Sequence, residues 1–337
     1  MLVQTYMILG LGRRQALRIA GITKHQLYYK TKGEKRGRRA STTTLWKDWK
    51  TQELLKRSNA DLVLDIIDIL SNTDLPNWYR MVTRTLQVRG WYVNHKKVYR
   101  IEKENGLLKK AKKRTGRTFV KFRRVNPESP LRVLEMDIKY CWIEGCKRYA
   151  YILTVIDTFS RFVLHWKAGY EMRQEQVKQV WEEIIIHYLQ PADLLNRKIE
   201  IEVRNDNGKQ FCAEKIQLFF KNNYLNQVFT HPYSPEENGH VESFHKTLGQ
   251  SLEHNFFKDL QQLINRLNQF YPTYNNIRQH SSIAGLSPSM FWALWDEEKI
   301  TMTTYSKKKA TFKLNIPYQD VLSCKEIDRY HYRVLGT

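Results

Sequence analysis

The sequence predicts a multidomain chain, with all-α helix-turn-helix units in front and an α/β domain with a mixed five-stranded sheet behind them. Two observations predict this division. Short apolar-periodic segments broken by glycine fill residues 10–107, and from residue 131 three successive short strands precede helices that alternate with further strands. A length of 337 residues is enough for two or three domains, each with its own core.

Positive charge is concentrated in the front part of the chain. The formal net charge is +22, and residues 1–130 hold 30 Lys and Arg against 10 Asp and Glu, a local net of +20. Such a surface attracts a polyanion, so nucleic acid is the indicated partner and an anionic membrane the weaker alternative. No apolar run approaches the roughly 18 residues that span a bilayer, and no signal peptide is recognisable, so we expect a cytoplasmic protein.

Two helix-turn-helix units are predicted in the basic part. In residues 1–31, Gly21 breaks a helix and Thr23 is placed to cap a basic second helix. After a basic linker at 32–50, residues 51–108 predict helices at 61–70, 76–89 and 95–104, the last capped by Asn94 and ended by Gly106. The alternative is a pair of ordinary helical hairpins. The predicted DNA contacts are Arg13, Arg14, Lys24, His25, Lys96, Lys97 and Arg100.

A basic connector at 109–130 leads into the second half. Residues 109–124 hold nine Lys or Arg, of which Lys109, Lys110, Lys112, Lys113 and Arg114 are predicted to follow DNA phosphates. In 131–298 the predicted strands lie at 131–140, 149–157, 162–166, 199–203 and 227–230. With helices at 174–189, 214–223, 237–254, 259–275 and 287–295, this is the element order of an RNase H-like domain. Residues 299–337 predict a small β-rich tail with Lys307–Lys309 available to DNA.

Three acidic residues stand out by context. Asp137 lies within an apolar strand, Asp206 ends the fourth strand before an Asn-Gly turn, and Glu242 lies in the first turns of a helix, with 35 residues between it and Asp206. Phosphodiester chemistry needs an activated oxygen and a stabilised leaving oxyanion, and two Mg²⁺ ions on a few carboxylates provide both. The sequence therefore predicts that these acids hold two Mg²⁺ ions, for which Mn²⁺ can substitute.

Other polar residues receive plainer interpretations. Asp157 is interpreted as a hairpin-turn residue, and Glu135, Glu144, Glu236 and Glu237 as caps or surface charges. Cys141, Cys146, Cys212 and Cys324 form no C-x-x-C pair and are expected to be reduced thiols.

At this point the sequence resembles the bacterial insertion-sequence transposases of the retroviral-integrase superfamily, in the group often encoded by two overlapping reading frames. The resemblance rests on RRQALRIAGITKHQLYY at 13–29, GWYVNHKKVYR at 90–100, DIKY at 137–140, IDTFSR at 156–161, RNDNG at 204–208, YSPEENGHVESF at 233–244 and YNNIRQHSS at 274–282. It implies DDE catalysis by Asp137, Asp206 and Glu242, with cleavage at element ends and attack of a 3′-hydroxyl on target DNA. It also implies a homo-oligomeric synaptic complex acting near the nucleoid, with Arg278 among the DNA contacts.

The sequence departs from the family pattern in three ways. A Lys or Arg usually follows the Glu by seven residues, but here that position is Gly249, and Lys246 on the same helix face is assigned the phosphate contact. No His-His-Cys-Cys zinc module is present, and no sustained heptads are found, so an upstream-frame partner protein is expected. Two alternatives to a transposase remain: a catalytically inactive or domesticated DNA-binding protein, and an RNase H-type nuclease.

Overall fold

The computed structural model describes residues 2–28, 41–109, 125, 127–230, 238–304 and 310–323. Residues 1–42 and 43–337 form two compact units, and each is described by itself. The predicted contacts Lys110, Lys112, Lys113 and Arg114 lie outside the described residues, as do Lys307–Lys309, Glu236 and Glu237. Among the described helices, none is long and apolar enough to cross a membrane.

The first unit holds three short helices, α1 (Leu2–Ile8), α2 (Arg13–Ile19) and α3 (Lys24–Tyr28). Thr23 caps α3 as predicted: its Oγ1 accepts from the Gln26 N–H at 3.2 Å, and Gln26 Oε1 accepts from the Thr23 N–H at 2.8 Å. Helix α1 was not predicted from the sequence. It packs on α2, where Val3 and Ala16 are both buried.

The second unit begins with a β-ribbon, so the predicted linker at 32–50 is wrong for residues 43–47. The ribbon is β1 (Thr43–Lys47) and β2 (Leu54–Ser58), paired antiparallel. Strand β1 also pairs with the chain near Gly90, since the Lys47 N–H donates to the Gly90 carbonyl and the Tyr92 N–H to the Leu45 carbonyl, both at 2.9 Å. Gly90 has φ +99°, and a Cβ there would lie 2.2 Å from the Lys47 carbonyl oxygen, so only glycine fits.

Three helices follow the ribbon: α4 (Asn59–Ser71), α5 (Tyr79–Val88) and α6 (His95–Glu104). Asn94 caps α6 as predicted, because its side chain accepts from the Lys97 N–H at 2.9 Å. Helix α5 begins three residues later than Pro76, since Trp78 is still extended at φ −101° and ψ 136°. The helices share a core whose members include Leu62, Ile66, Val82, Leu86, Trp91, Val98 and Ile101.

Glu102 of α6 provides a pH-dependent test of this helical core. It is 1% exposed, its Oε1 has no partner within the described residues, and burial raises the pKa of its carboxyl to about 7 from 4.5. Because the folded pKa is the higher one, the charged carboxylate destabilises the fold as pH rises from the unfolded pKa through about 7. We expect Glu102→Gln to be neutral near pH 4 and to raise the free energy of unfolding at pH 8 by about 1–3 kcal/mol. Urea unfolding at both pH values measures this, and an equal effect at both would contradict it.

The α/β domain contains the predicted mixed five-stranded sheet, formed by β3 (Val133–Ile143), β4 (Arg148–Asp157), β5 (Val163–Gly169), β6 (Ile201–Asn205) and β7 (Leu225–Phe229). Their order in the sheet is β5-β4-β3-β6-β7. Strands β3, β4 and β5 are antiparallel, whereas β6 and β7 run parallel to β3, which confirms the RNase H-like fold class. The helices are α7 (Gln174–Ile184, continued by a π turn to Leu189), α8 (Lys209–Cys212), α9 (Glu214–Asn222), α10 (Gly239–Leu252), α11 (Leu260–Pro272, continued by a π turn to Ile277) and α12 (Pro288–Asp296).

Helices cover both faces of the sheet. On one face, Trp181 of α7 donates to the Met136 sulfur of β3 at 3.3 Å and packs against Phe220 of α9. On the other, the Tyr271 hydroxyl of α11 lies 2.8 Å from Thr154 Oγ1, and Thr154 is opposite Asp137 in the β3–β4 ladder. Side chains alternate along a strand, so Asp137 and Met136 face opposite sides. Asp137 therefore lies on the face covered by α10 and α11.

The helices of 59–104 are fixed to the α/β domain by buried polar contacts. Arg266 of α11 makes a two-pronged pair with Asp74, at 2.9 and 2.5 Å, and also donates to Ser251 Oγ of α10 at 2.5 Å. The hairpin of β8 (Ile300–Thr303) and β9 (Thr311–Leu314) occupies the segment where the sequence predicts a β-rich tail. The hairpin is followed by a 3₁₀ turn, Tyr318–Ser323. In this turn, Asp320 Oδ1 lies 2.5 Å from Lys47 Nζ. Helix α6 thus belongs to the same compact unit as the sheet.

Candidate active site

Two of the three predicted catalytic acids are brought together by strand register. Strands β3 and β6 are parallel, and Glu135 pairs with Arg204. Asp137 lies two residues after Glu135, and Asp206 lies two residues after Arg204. The two aspartates therefore meet at the carboxyl end of β6. The strand ends there because Asp206 begins a tight turn, in which its Oδ1 accepts from the Gly208 N–H at 3.0 Å.

The carboxylates of Asp137 and Asp206 are close enough for an electrostatic interaction. Desolvation at the sheet edge raises the pKa of Asp206, and the negative charge of Asp137 raises that pKa further, while the Gly208 hydrogen bond opposes both. Two carboxylates in this relation repel each other, and a cation between them would relieve the repulsion.

The helix that carries Glu242 is attached to β3 by a buried acid. Glu135 is fully buried, and its Oε2 accepts from the backbone N–H groups of His240 and Val241 at 2.9 and 2.8 Å. Its Oε1 lies 2.8 Å from His240 Nδ1. These N–H groups belong to the first turn of α10, which has no intrahelical acceptors for them, and a negative charge is favourable at that end of a helix.

Sequence reasoning assigned Glu135 to the caps and surface charges, and it is a cap, but of a helix 105 residues away. The available signal was its position. Glu135 lies two residues before Asp137 on the same strand face, where an acid needs a partner. The sequence could not name that partner, because strand and helix meet only in the folded chain.

Asp137 has a second neighbour from α10. His245 Nδ1 lies 3.2 Å from Asp137 Oδ2, while His245 Nε2 is buried without a partner among the described residues. Sequence reasoning did not select His245, although it follows Glu242 by one helical turn. Glu242 itself is exposed in the first turn of α10. Within the described residues, no three His, Cys, Asp or Glu side chains are close enough together to hold a metal ion, so the triad is not assembled here.

Gly249, where the sequence departs from the family pattern, lies opposite a lysine of β3. A Cβ at position 249 would lie 3.3 Å from Lys139 Nζ. Strand β3 thus runs along α10 with three side chains facing the helix. Glu135 faces its first turn, Asp137 faces His245, and Lys139 faces Gly249. Lys246, the predicted phosphate contact, is exposed on the same helix.

Asp157 is the turn residue that the sequence predicts, but it is buried rather than exposed. Its Oδ2 accepts from the Ser160 N–H at 2.8 Å, and its Oδ1 accepts from the Leu131 N–H at 3.1 Å. Burial raises the pKa of its carboxyl, against the effect of these hydrogen bonds. We assign it to the β4–β5 turn and not to catalysis.

The predicted DNA contacts divide into exposed and internally bonded side chains. Lys97 donates to the Thr43 carbonyl at 2.8 Å and to Thr44 Oγ1 at 2.6 Å, and Arg278 donates to the Asp74 carbonyl. The donors of both side chains are thus bonded within the protein. Arg100 lies 3.6 Å from Glu104 and is half-buried. The exposed members are Arg13, Arg14, Lys24, His25, Lys96, Lys109 and Lys246.

Comparison with known proteins identifies similar sequences and structures. A family model described as the integrase core domain matches residues 127–235, and a second model with the same description matches 223–288. The insertion element IS476 uncharacterized 39.2 kDa protein of Xanthomonas euvesicatoria is 24% identical over 217 residues, which cover 64% of this chain and 60% of that protein. The transposase for insertion sequence element IS904 of Lactococcus lactis is 23% identical over 223 residues, 62% of this chain and 85% of that protein. The Mos1 transposase catalytic domain solved with Raltegravir and Mg has a TM-score of 0.38 at 13% identity, covering 48% of this chain and 75% of that one.

The integrase-core matches define the class of the α/β domain: residues 127–288 belong to the integrase core superfamily. Within that superfamily the chain is similar to insertion-sequence proteins, among them the IS904 transposase. The aligned region spans less than two thirds of the Xanthomonas relative's length.

Proposed function

We propose that this protein is a DNA transposase that cleaves strands at element ends and joins the freed 3′-hydroxyl to target DNA. The observation that carries the proposal is the placement of Asp137 beside Asp206 on parallel strands. Helix α10, attached to the same strand through Glu135, brings Glu242 to this end of the sheet. Each of the two units offers exposed basic residues to duplex DNA, on α2 and α3 in the first and on α6 in the second.

The residues present fit Mg²⁺ or Mn²⁺. Carboxylate oxygens are the ligands that Mg²⁺ prefers, and Asp137 and Asp206 offer two such groups at the carboxyl end of β6. Asp137, Asp206 and Glu242 would hold two such ions. When bound, the ions would polarise the phosphodiester and stabilise the attacking and leaving oxygens.

The protein's own groups have distinct parts in this proposal. Glu135 fixes the start of α10 and therefore the position of Glu242 relative to Asp137. His245 holds the Asp137 carboxylate from the helix side. Joining two element ends to a target needs a homo-oligomer on double-stranded DNA, and an upstream-frame partner protein remains part of the proposal.

A strand-transfer assay separates this function from its alternatives. The purified chain is incubated with Mg²⁺, a duplex carrying the terminal sequence that flanks its own gene, and supercoiled target DNA. We expect joined products from this duplex and none from an RNA–DNA hybrid. Cleavage of the hybrid alone would favour an RNase H-type nuclease, and binding of the duplex without products would favour a non-catalytic DNA-binding protein.

A further inference from the structure

Lys139 lies close to the carboxylates of the candidate active site but has no role in the proposed reaction. Lys139 lies two residues after Asp137 on β3, on the face covered by α10, and is half-buried. Its backbone is therefore roughly 7 Å from that of Asp137, about one repeat of the pleat. Within the part of the chain that the structure describes, Lys139 has no ion pair or hydrogen bond, and the Asp137 carboxylate lies against His245 instead.

Gly249 provides the room that this ammonium occupies. Gly249 lies in the interior of α10, where glycine is less stable than alanine by about 1 kcal/mol. A side chain there would begin 3.3 Å from Lys139 Nζ and 3.6 Å from its Cε. Helix α10 thus has a helix-destabilising residue, Gly249, at the point where it passes Lys139.

A cation in this place has a specific use at a phosphodiester site. Consider a DNA strand whose scissile phosphate lies at Asp137 and Asp206. Its next backbone phosphate follows at a distance similar to the roughly 7 Å that separates the backbones of Asp137 and Lys139. An ammonium is a compact donor for a phosphate oxygen. We propose that Lys139 binds a backbone phosphate adjacent to the scissile one, and that Gly249 keeps the space open for it. This inference rests on the proposed function.

The test measures DNA binding by the full chain, so it does not require turnover. Anisotropy of a fluorescent duplex is followed in Ca²⁺, which carboxylates also bind, over a range of salt concentrations. Relative to wild type, we expect Lys139→Ala to weaken binding by about threefold to tenfold and to reduce the salt slope by about 0.9. Lys221→Ala is the matched control, because Lys221 is an exposed lysine of α9 on the opposite face of the sheet. Equal binding by the two variants would overturn the proposal.

A side-chain exchange distinguishes phosphate binding from a structural part. In Lys139→Ala/Gly249→Lys, the lysine reaches the same space from α10, at a helix position that tolerates it well. We expect this double variant to recover most of the affinity and the salt slope, at a thermal midpoint no lower than that of the wild type. If the double variant binds DNA as weakly as Lys139→Ala does, the assignment of this space to a phosphate would be overturned. Absence of strand transfer by the wild-type chain would instead refute the proposed function and leave this binding result unaffected.

Discussion

Replacing Glu135 with alanine is expected to destabilise the protein and to reduce its strand-transfer rate together. The substitution leaves two buried N–H groups of α10, those of His240 and Val241, without an acceptor. Unpaired buried donors cost about 1–3 kcal/mol each, so we expect the free energy of unfolding to fall by about 2–5 kcal/mol. Because α10 also carries Glu242, a shift of its first turn by about 1 Å would lower the rate on the order of a hundredfold.

The conservative variant Glu135→Gln separates these two effects. Its amide oxygen can still accept a backbone N–H from α10, but it lacks the negative charge that the helix start favours. We expect an intermediate thermal midpoint and a rate closer to wild type. Thermal unfolding and strand transfer, measured on the same preparations, provide the check. A fully active Glu135→Ala protein would mean that the attachment of α10 to β3 does not position Glu242.

Asp137→Asn is expected to reduce strand transfer by about a thousandfold or more, since the loss of several kcal/mol of transition-state stabilisation corresponds to that factor. The amide has nearly the same shape but no charge with which to hold a divalent cation. DNA binding should change little, because the basic surface is untouched. Asp193→Asn is the matched control, since Asp193 is exposed in the same domain and its φ of +55° suits asparagine. Comparable rates for the two variants would exclude Asp137 from the chemistry.

The α/β architecture could be predicted from the sequence because its elements have local signals. The apolar run of β4, the Asn207-Gly208 turn after Asp206 and the helix start near Glu242 are each visible within a few residues. Their order along the chain then restricts the sheet to very few topologies. The proximity of Asp137 and Asp206 follows from that topology, because neighbouring parallel strands end at the same edge.

The contacts that sequence reasoning missed all depend on partners that are distant in the chain. The Lys47 N–H of β1 donates to the Gly90 carbonyl, and the buried Glu135 accepts from the first turn of α10. Neither charge, which selected Lys97, nor the family resemblance, which selected Arg278, shows that their donors bind carbonyl oxygens inside the protein. A basic side chain in a charged segment can serve the fold as well as DNA, and only its neighbours decide which.

The location of bound Mn²⁺ is the most direct test of the central claim that Asp137 and Asp206 form a cation site with Glu242. Crystals of the full chain soaked in Mn²⁺ would be measured at the manganese absorption edge, with Asp206→Ala crystals as the comparison. The account predicts an anomalous peak within ordinary coordination distance of both aspartates, a contact from Glu242, and loss of the peak in the variant. Manganese bound elsewhere, or an unchanged peak in Asp206→Ala, would contradict it.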